Sequence, residues 1–133
     1  MELVENKWYK KEGSSIATIE KVERFLGIAF PEQYKDFLLW SNGGEGILAN
    51  SYIYIWAIED VIAYNKDYEI QKYLQKDYFA FGMDGDVGYI FYLPNYSIYK
   101  VGFGDLAIES TTYLAPSLAD FLGKTIYTKL NNF

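Results

Sequence analysis

Residues 19–46, IEKVERFLGIAFPEQYKDFLLWSNGGEG, constrain the fold more than any other stretch of the chain. Ile19, Val22 and Leu26 recur at helical spacing, with Phe25 beside them. Thr18 is placed to accept a backbone hydrogen bond at the start of that helix. Gly27 suits the left-handed backbone that ends a helix. Pro31 suits the first turn of a second helix, where a missing N–H costs nothing. Tyr34, Phe37, Leu38 and Ser41 line one face of the second helix, and Asn42-Gly43-Gly44 stops it. The stretch therefore demands two helices, over 16–26 and 31–41, joined by a tight turn. It specifies architecture and leaves chemistry open.

The remaining segments supply strands. Residues 1–15 are polar, with Trp8 and Tyr9 as candidate anchors and a turn before the first helix. Gly43, Gly44 and Gly46 read as a loop, and at least one of Gly43 and Gly44 should have positive φ. Tyr52–Trp56 is aromatic and β-branched, which favours a strand. Ile58 to about Leu74 reads as helical, with a break near Lys66-Asp67. Strands are expected over 78–82, 88–93 and 97–103, with Pro94-Asn95-Tyr96 turning between the last two. Residues 109–114 suit a short edge strand. Ser117 caps a final helix over 117–130, in which Leu118, Phe121, Leu122 and Ile126 share a face. Strands cluster in the middle and helices at the ends. The expectation is one α+β domain over residues 1–133, with two N-terminal helices, a middle helix, a C-terminal helix and a mainly antiparallel sheet of four to six strands.

Composition narrows the chemistry. The chain has no histidine and no cysteine. Ser-His-Asp and Cys-His catalysis are therefore impossible, and ordinary zinc sites lose their main ligands. Acid–base chemistry would fall to Asp, Glu, Tyr or Lys. A net charge of −6 argues against direct binding to nucleic acid, whose affinity rests on Lys and Arg at phosphates, and suits a basic partner. No apolar run is long enough to span a membrane, and the first residues lack the order of a signal peptide, so a cytoplasmic location is the default. There are 14 tyrosines. Tyrosine favours both strands and binding surfaces, and most of these are expected to be structural, in a tyrosine-rich core and sheet.

No local motif carries a reaction. Asp84-Gly85-Asp86 invites a calcium loop, but the sixth and twelfth positions counted from Asp84 are Tyr89 and Asn95, where glycine and glutamate are required. An Asp-Gly turn is the better reading. Gly43-Gly44-Glu45-Gly46 lacks the Lys-Ser/Thr of a phosphate loop and follows a helix instead of preceding one. Glu45, Glu59, Asp60, Asp84, Asp86 and Asp105 could in principle pair for glycoside hydrolysis, but no spacing brings any two together. No metal and no cofactor is expected. Glu23 lies on the apolar face of the first helix, four residues after Ile19 and three before Leu26. A carboxylate there needs a partner if buried, so its first reading is structural, tying the helix to a nearby backbone N–H or loop.

In order and spacing the chain resembles the SUKH superfamily, named partly for a yeast cell-wall assembly regulator. The resemblance rests on Glu23, Leu26, Gly27, Phe30, Pro31, Tyr34, Phe37, Asn42, Gly43 and Gly44, then on Trp56 leading into Ile58-Glu59-Asp60-Val61 with Asn65 one turn on. It continues through Phe81-Gly82, Asp84-Gly85-Asp86, a strand ending at Leu93, and Ala115 and Ser117 before Leu118 and Phe121-Leu122. It covers residues 16–123. Tyr92 stands where relatives often carry an acidic residue.

The resemblance implies a non-enzymatic bacterial immunity protein that neutralises a cognate toxin, often a nuclease, by binding it. Predicted exposure and family position together nominate Glu45, Glu59, Asp60, Asp84, Asp86 and Tyr92 for contact with a toxin's basic face. Structural roles fall to Glu23, Gly27, Pro31, Asn42, Gly43, Gly44 and Trp56. The alternative it implies is an intracellular scaffold or regulatory adaptor, like the eukaryotic relatives.

Overall fold

A computed structural model describes residues 2–123. Seven strands form one sheet: β1 (Trp8–Lys10), β2 (Gly44–Leu48), β3 (Ser51–Ile55), β4 (Tyr78–Asp84), β5 (Val87–Tyr92), β6 (Ser97–Gly102) and β7 (Thr112–Ala115). Each pairs antiparallel with its neighbour in sequence, so the sheet is a meander. Helices α1 (Ile16–Leu26) and α2 (Glu32–Trp40) are inserted between β1 and β2. A 3-10 turn (Ile58–Asp60) and helices α3 (Val61–Asp67) and α4 (Ile70–Leu74) are inserted between β3 and β4, and α5 (Leu118–Leu122) follows β7. The class is α+β with an antiparallel sheet, as expected, but the sheet exceeds the four to six strands read from the sequence.

The additional strands are β1 and β2, at the segments read as a polar tail and a glycine loop. One side chain explains both. Trp8 pairs with Gly46, and its ring lies across the two glycines of β2. A Cβ on Gly44 would meet the indole Nε1 at 2.8 Å, and one on Gly46 would meet ring carbon Cε3 at 2.9 Å. Glycine lowers strand propensity because it has nothing to pack. Here the tryptophan of the neighbouring strand fills that space, and so the pair forms. The ring then meets Phe37 of α2 edge-on at 5.6 Å.

The helix boundaries have local causes. Ser15, not Thr18, caps α1: its hydroxyl accepts the Thr18 N–H at 3.2 Å. Gly27 ends α1 at φ 68°, donating its N–H to the Glu23 carbonyl at 2.8 Å. Pro31 takes the cap position of α2, one place before the first helical residue, and its carbonyl receives the N–H of Tyr34 and Lys35. The middle helix is two helices. The break falls at Tyr68-Glu69, beyond the expected Lys66-Asp67, because Glu69 adopts left-handed backbone at φ 55°. Ser117 caps α5, accepting the Asp120 N–H at 3.3 Å. The expected continuation of that helix to residue 130, Ile126 included, lies outside the described residues.

One face of the sheet carries the core. Phe30 and Tyr34 from the α1–α2 region meet Phe79, Phe81 and Phe91 from β4 and β5 at ring-centroid distances of 5.2, 6.0 and 5.3 Å. Phe121 of α5 closes on Phe81 and Tyr89. Full burial of each such ring contributes about 1.5–3 kcal/mol. Phe79 and Phe81 share this face by alternation, and a β-bulge that sets Phe81 and Gly82 opposite Tyr89 makes Met83, not Gly82, the next residue to turn to the other face.

Where β3 stops, side chains replace it. β3 pairs with β4 at Met83 and Gly82 and then departs. The freed backbone of Ala80 is taken by buried Asn65 of α3, which accepts the Ala80 N–H at 2.9 Å and donates to the Ala80 carbonyl at 2.8 Å. Gln71 of α4 donates to the Tyr78 carbonyl at 2.8 Å and to Asn65 Oδ1 at 3.1 Å. Two helices thus seal an edge that would otherwise hold unpaired polar groups.

Candidate functional site

Strand alternation sends the other half of each strand away from the helices. In Tyr52-Ile53-Tyr54-Ile55 the isoleucines are buried and the tyrosines half-exposed. Register carries the same pattern across the sheet. Tyr78 lies opposite Tyr92, and Tyr99 lies opposite Tyr113. Their rings form one cluster on four adjacent strands, with centroids 5.1 Å apart for Tyr78–Tyr92, 6.5 Å for Tyr92–Tyr99 and 5.5 Å for Tyr99–Tyr113. Tyr113, on the edge strand, is 54% exposed.

A second run of rings joins this face from α3. Trp56 stacks on Tyr64 at 4.4 Å, Tyr64 on Tyr68 at 6.3 Å, and Tyr68 on Phe103 at 3.9 Å. Phe103 lies flat over Gly88 of β5, where a Cβ would meet the ring at 2.7 Å. Tyr9, Glu45 and Tyr54 extend the face to β1, since Glu45 pairs in register with both tyrosines. The Glu45 carboxylate accepts the Tyr52 hydroxyl at 2.5 Å. Burial and that hydrogen bond to Glu45 hold the Tyr52 phenol well above its ordinary range. Among the described residues, the fully covered tyrosines are Tyr34 and Tyr89. Most of the described tyrosines thus keep part of their ring exposed instead of lying in the core.

The six nominated contact residues fall in separate places. Asp84 and Asp86 are exposed at the β4–β5 turn. Tyr92 is at the far end of β5, about 20 Å away by the rise of the strand. Glu45 lies within β2, not in a loop, and is half-buried. Glu59 and Asp60 are exposed in the 3-10 turn, but the Glu59 carboxylate receives the Asn42 amide at 2.7 and 3.1 Å. Only Glu45 and Tyr92 present side chains on the tyrosine face; Asp84, at the end of β4, is turned by register toward Tyr89 and Phe121 on the other side.

The residues assigned structural roles sit at junctions. Glu23 Oε2 accepts the Phe30 N–H at 2.7 Å and pairs with Lys35 Nζ at 3.2 Å, fastening the α1–α2 turn. Burial alone would lower the Lys35 pKa; the hydrogen bond and charge of Glu23, with Glu32, outweigh it and raise the pKa. Asn42 Oδ1 accepts the Ile58 N–H at 2.8 Å, joining the end of α2 to the 3-10 turn. Gly43 and Gly44 have φ of 85° and 121°, and a Cβ on Gly43 would meet the Ile55 carbonyl oxygen at 2.5 Å. Trp56 is fully buried, and its indole N–H finds no hydrogen-bond partner among the described residues.

The arrangement suits binding. Among the described residues no three acidic side chains gather where they could hold a metal ion, and no helix is long and apolar enough to cross a membrane. Half-exposed tyrosines on rigid strands offer apolar area with hydroxyl tips, the surface chemistry of protein recognition. Residue-by-residue reasoning missed Tyr54, Tyr78, Tyr99 and Tyr113 because it chose turns. The available signal was the alternation of tyrosine with aliphatic or phenylalanine residues in Tyr52–Ile55, Phe91-Tyr92 and Ile98-Tyr99.

No curated protein matches the chain. The family model described as SMI1 / KNR4 family (SUKH-1) matches residues 13–124, from the turn before α1 to just past α5, and the chain therefore belongs to the SMI1 / KNR4 (SUKH-1) family.

Proposed function

We propose that this chain is an immunity protein that protects its cell by binding and occluding a toxin, a nuclease with a basic face, and that it acts in the cytoplasm without catalysis. Membership of the SUKH-1 family over residues 13–124 is the observation that carries this reading. The chain's own chemistry supports it: a net charge of −6 complements a cleft built for phosphates. The absence of histidine and cysteine removes the usual catalytic groups.

The same family match supports an adaptor that binds endogenous proteins, and genome position separates the two readings. The test is co-expression with the toxin domain encoded beside this gene. Rescue of growth, together with a stoichiometric complex of the purified pair, is expected. Growth arrest that this chain does not relieve, or no toxic product near the gene, would transfer the assignment to the adaptor.

A further inference from the structure

We propose that the tyrosine face of the sheet is the docking surface for an arginine- and lysine-bearing face of a partner protein. The inference rests on the binding role proposed above and adds where the partner sits and what chemistry it presents.

Three observations carry it. First, the rings are arranged for contact. Tyr54, Tyr78, Tyr92 and Tyr99 remain half-exposed while Ile90, among them, is fully buried, so the tyrosines form an outer layer over a closed sheet. Second, the face already holds a cation in this way. Lys7 Nζ stands 4.9 Å over the ring of Tyr9 at its β1 end. The remaining rings offer the same negative faces to a partner's guanidinium or ammonium groups. Third, beyond Lys7, whose ammonium already sits over Tyr9, the charge fixed on the strands of this face is acidic. Among the described strand residues, Glu45 is the one charge whose register places it on this face. At the two ends of β4, Asp84 follows Met83 and Asp77 precedes Tyr78; Asp84 itself turns to the other side by register and reaches this face through its charge. Both ends feel these carboxylates: Tyr52 and Tyr78 have raised pKa values, chiefly from burial, with further upward pushes from Glu45 and Asp84 on Tyr52 and from Asp77 on Tyr78.

The same features argue against other occupants. Phosphates would meet carboxylates, which disfavours a nucleic acid despite the stacking rings. Beside the strip covered by Phe103, half-exposed and exposed rings run over four adjacent strands from Tyr78 to Tyr113, the breadth of a protein interface more than of a small-molecule cleft. Aromatic rings at the centre with charges at the margin is also the arrangement in which tyrosines set affinity and carboxylates set encounter rate.

The test uses the full chain and an oligo-arginine peptide, with oligo-glutamate and oligothymidylate as controls, followed by NMR. Oligo-arginine should shift the ring signals of Tyr54, Tyr92 and Tyr99 and leave those of buried Tyr34 unmoved. The triple variant Tyr54→Ala, Tyr92→Ala, Tyr99→Ala should weaken binding by about fivefold or more, as the loss of one to three exposed cation–π contacts requires. A second triple variant, Glu45→Gln, Asp77→Asn, Asp84→Asn, keeps the packing and should weaken binding at low salt only. Shifts confined to the helical side, unchanged affinity in a folded variant, or preference for oligothymidylate would overturn the proposal. In the co-expression assay, a folded tyrosine variant should lose protection that the parent chain provides; full protection would overturn the surface while leaving the immunity reading intact. A parent chain that never protects removes the immunity reading, and the peptide titration then decides the surface alone.

Discussion

Phe91 and Tyr92 are neighbours on β5 and occupy opposite worlds. Phe91 is fully buried against Tyr34 and Phe81, whereas Tyr92 is half-exposed beside Tyr78 and Tyr99. The same contrast repeats from β3 to β6. One face is mainly phenylalanine and isoleucine under α1, α2 and α5; the other is tyrosine with one carboxylate, layered over buried Ala80, Ile90 and Val101. A hydroxyl is the whole difference between phenylalanine and tyrosine. It marks the side where water, or a partner, meets the ring. A sheet needs only one covered face to be stable. The part of the other face not covered by Tyr68 and Phe103 can therefore carry recognition without weakening the core.

The largest expected effect tests that division directly. Phe91→Ala should destabilise by about 3–5 kcal/mol, the transfer loss plus a cavity. Tyr92→Ala should cost about 1 kcal/mol, because only part of its ring leaves contact and no closed cavity forms. Chemical denaturation of both variants gives the comparison. Equal losses would mean that the tyrosine face is a second core, not a free surface.

The next pair lies on β2. Gly46 faces the helices under the Trp8 ring, and Glu45 faces outward. Gly46→Ala would force the ring or the strand to shift and should cost about 1–3 kcal/mol, the usual range for overpacking. Glu45→Ala should cost less than about 1 kcal/mol, since water can replace the carboxylate at the half-exposed Tyr52 hydroxyl. A neutral Gly46→Ala variant would mean that Trp8 does not hold β1 against β2.

This strand pair also shows where sequence reasoning stops. Helical spacing in Ile19, Val22 and Leu26 set α1 correctly, and the Pro94-Asn95-Tyr96 turn set the β5–β6 hairpin. Those signals are local: each depends on residues within a few positions. Gly44-Glu45-Gly46 failed as a strand because its side-chain volume comes from Trp8, more than thirty positions away. The surface failed for a related reason. Tyr78, Tyr99 and Tyr113 are far apart in sequence, and only pairing register gathers them. Turn carboxylates could be guessed exposed one at a time, but not that Asn42 engages Glu59 or that a whole strand separates Asp84 from Tyr92.

Tyr34 sharpens the comparison from the covered side. Its hydroxyl is buried among phenylalanine rings and has no hydrogen-bond partner among the described residues. Burial drives its pKa far above the ordinary 10.0, and pushes Tyr89 up to about 12. The sign follows from linkage. Unfolded tyrosine ionises near its ordinary value, whereas these two stay protonated in the folded chain. Their contribution is intact below about pH 10 and is lost as pH rises through the folded values. Tyr34→Phe removes the unpaired hydroxyl. It should raise stability by about 1 kcal/mol at neutral pH and lessen the alkaline loss. Thermal melts at pH values on either side of 10.0 measure both effects. A destabilised Tyr34→Phe variant would show that the hydroxyl has a partner after all.

The smallest expected effect on stability belongs to the β4–β5 turn, and there the contrast between folding and recognition is clearest. Asp84 and Asp86 are exposed, with Gly85 between them in left-handed backbone at φ 56°. The glycine makes the turn; the carboxylates face water. Replacing both with asparagine keeps side-chain size and turn propensity and should change stability by less than about 0.5 kcal/mol. The same double variant removes two negative charges from the end of the sheet, where they act on the tyrosine face at a distance. Against a basic partner, its association rate should fall at low salt and converge with that of the parent chain at high salt, because exposed charges are screened beyond about 10 Å at 0.1 M. Dissociation should be nearly unchanged, since the rings that hold the partner are intact. Stopped-flow association across a salt series distinguishes the two. A large change in dissociation with association unaffected would place these carboxylates inside the contact, and the margin of the docking face would then have to be redrawn around the turn.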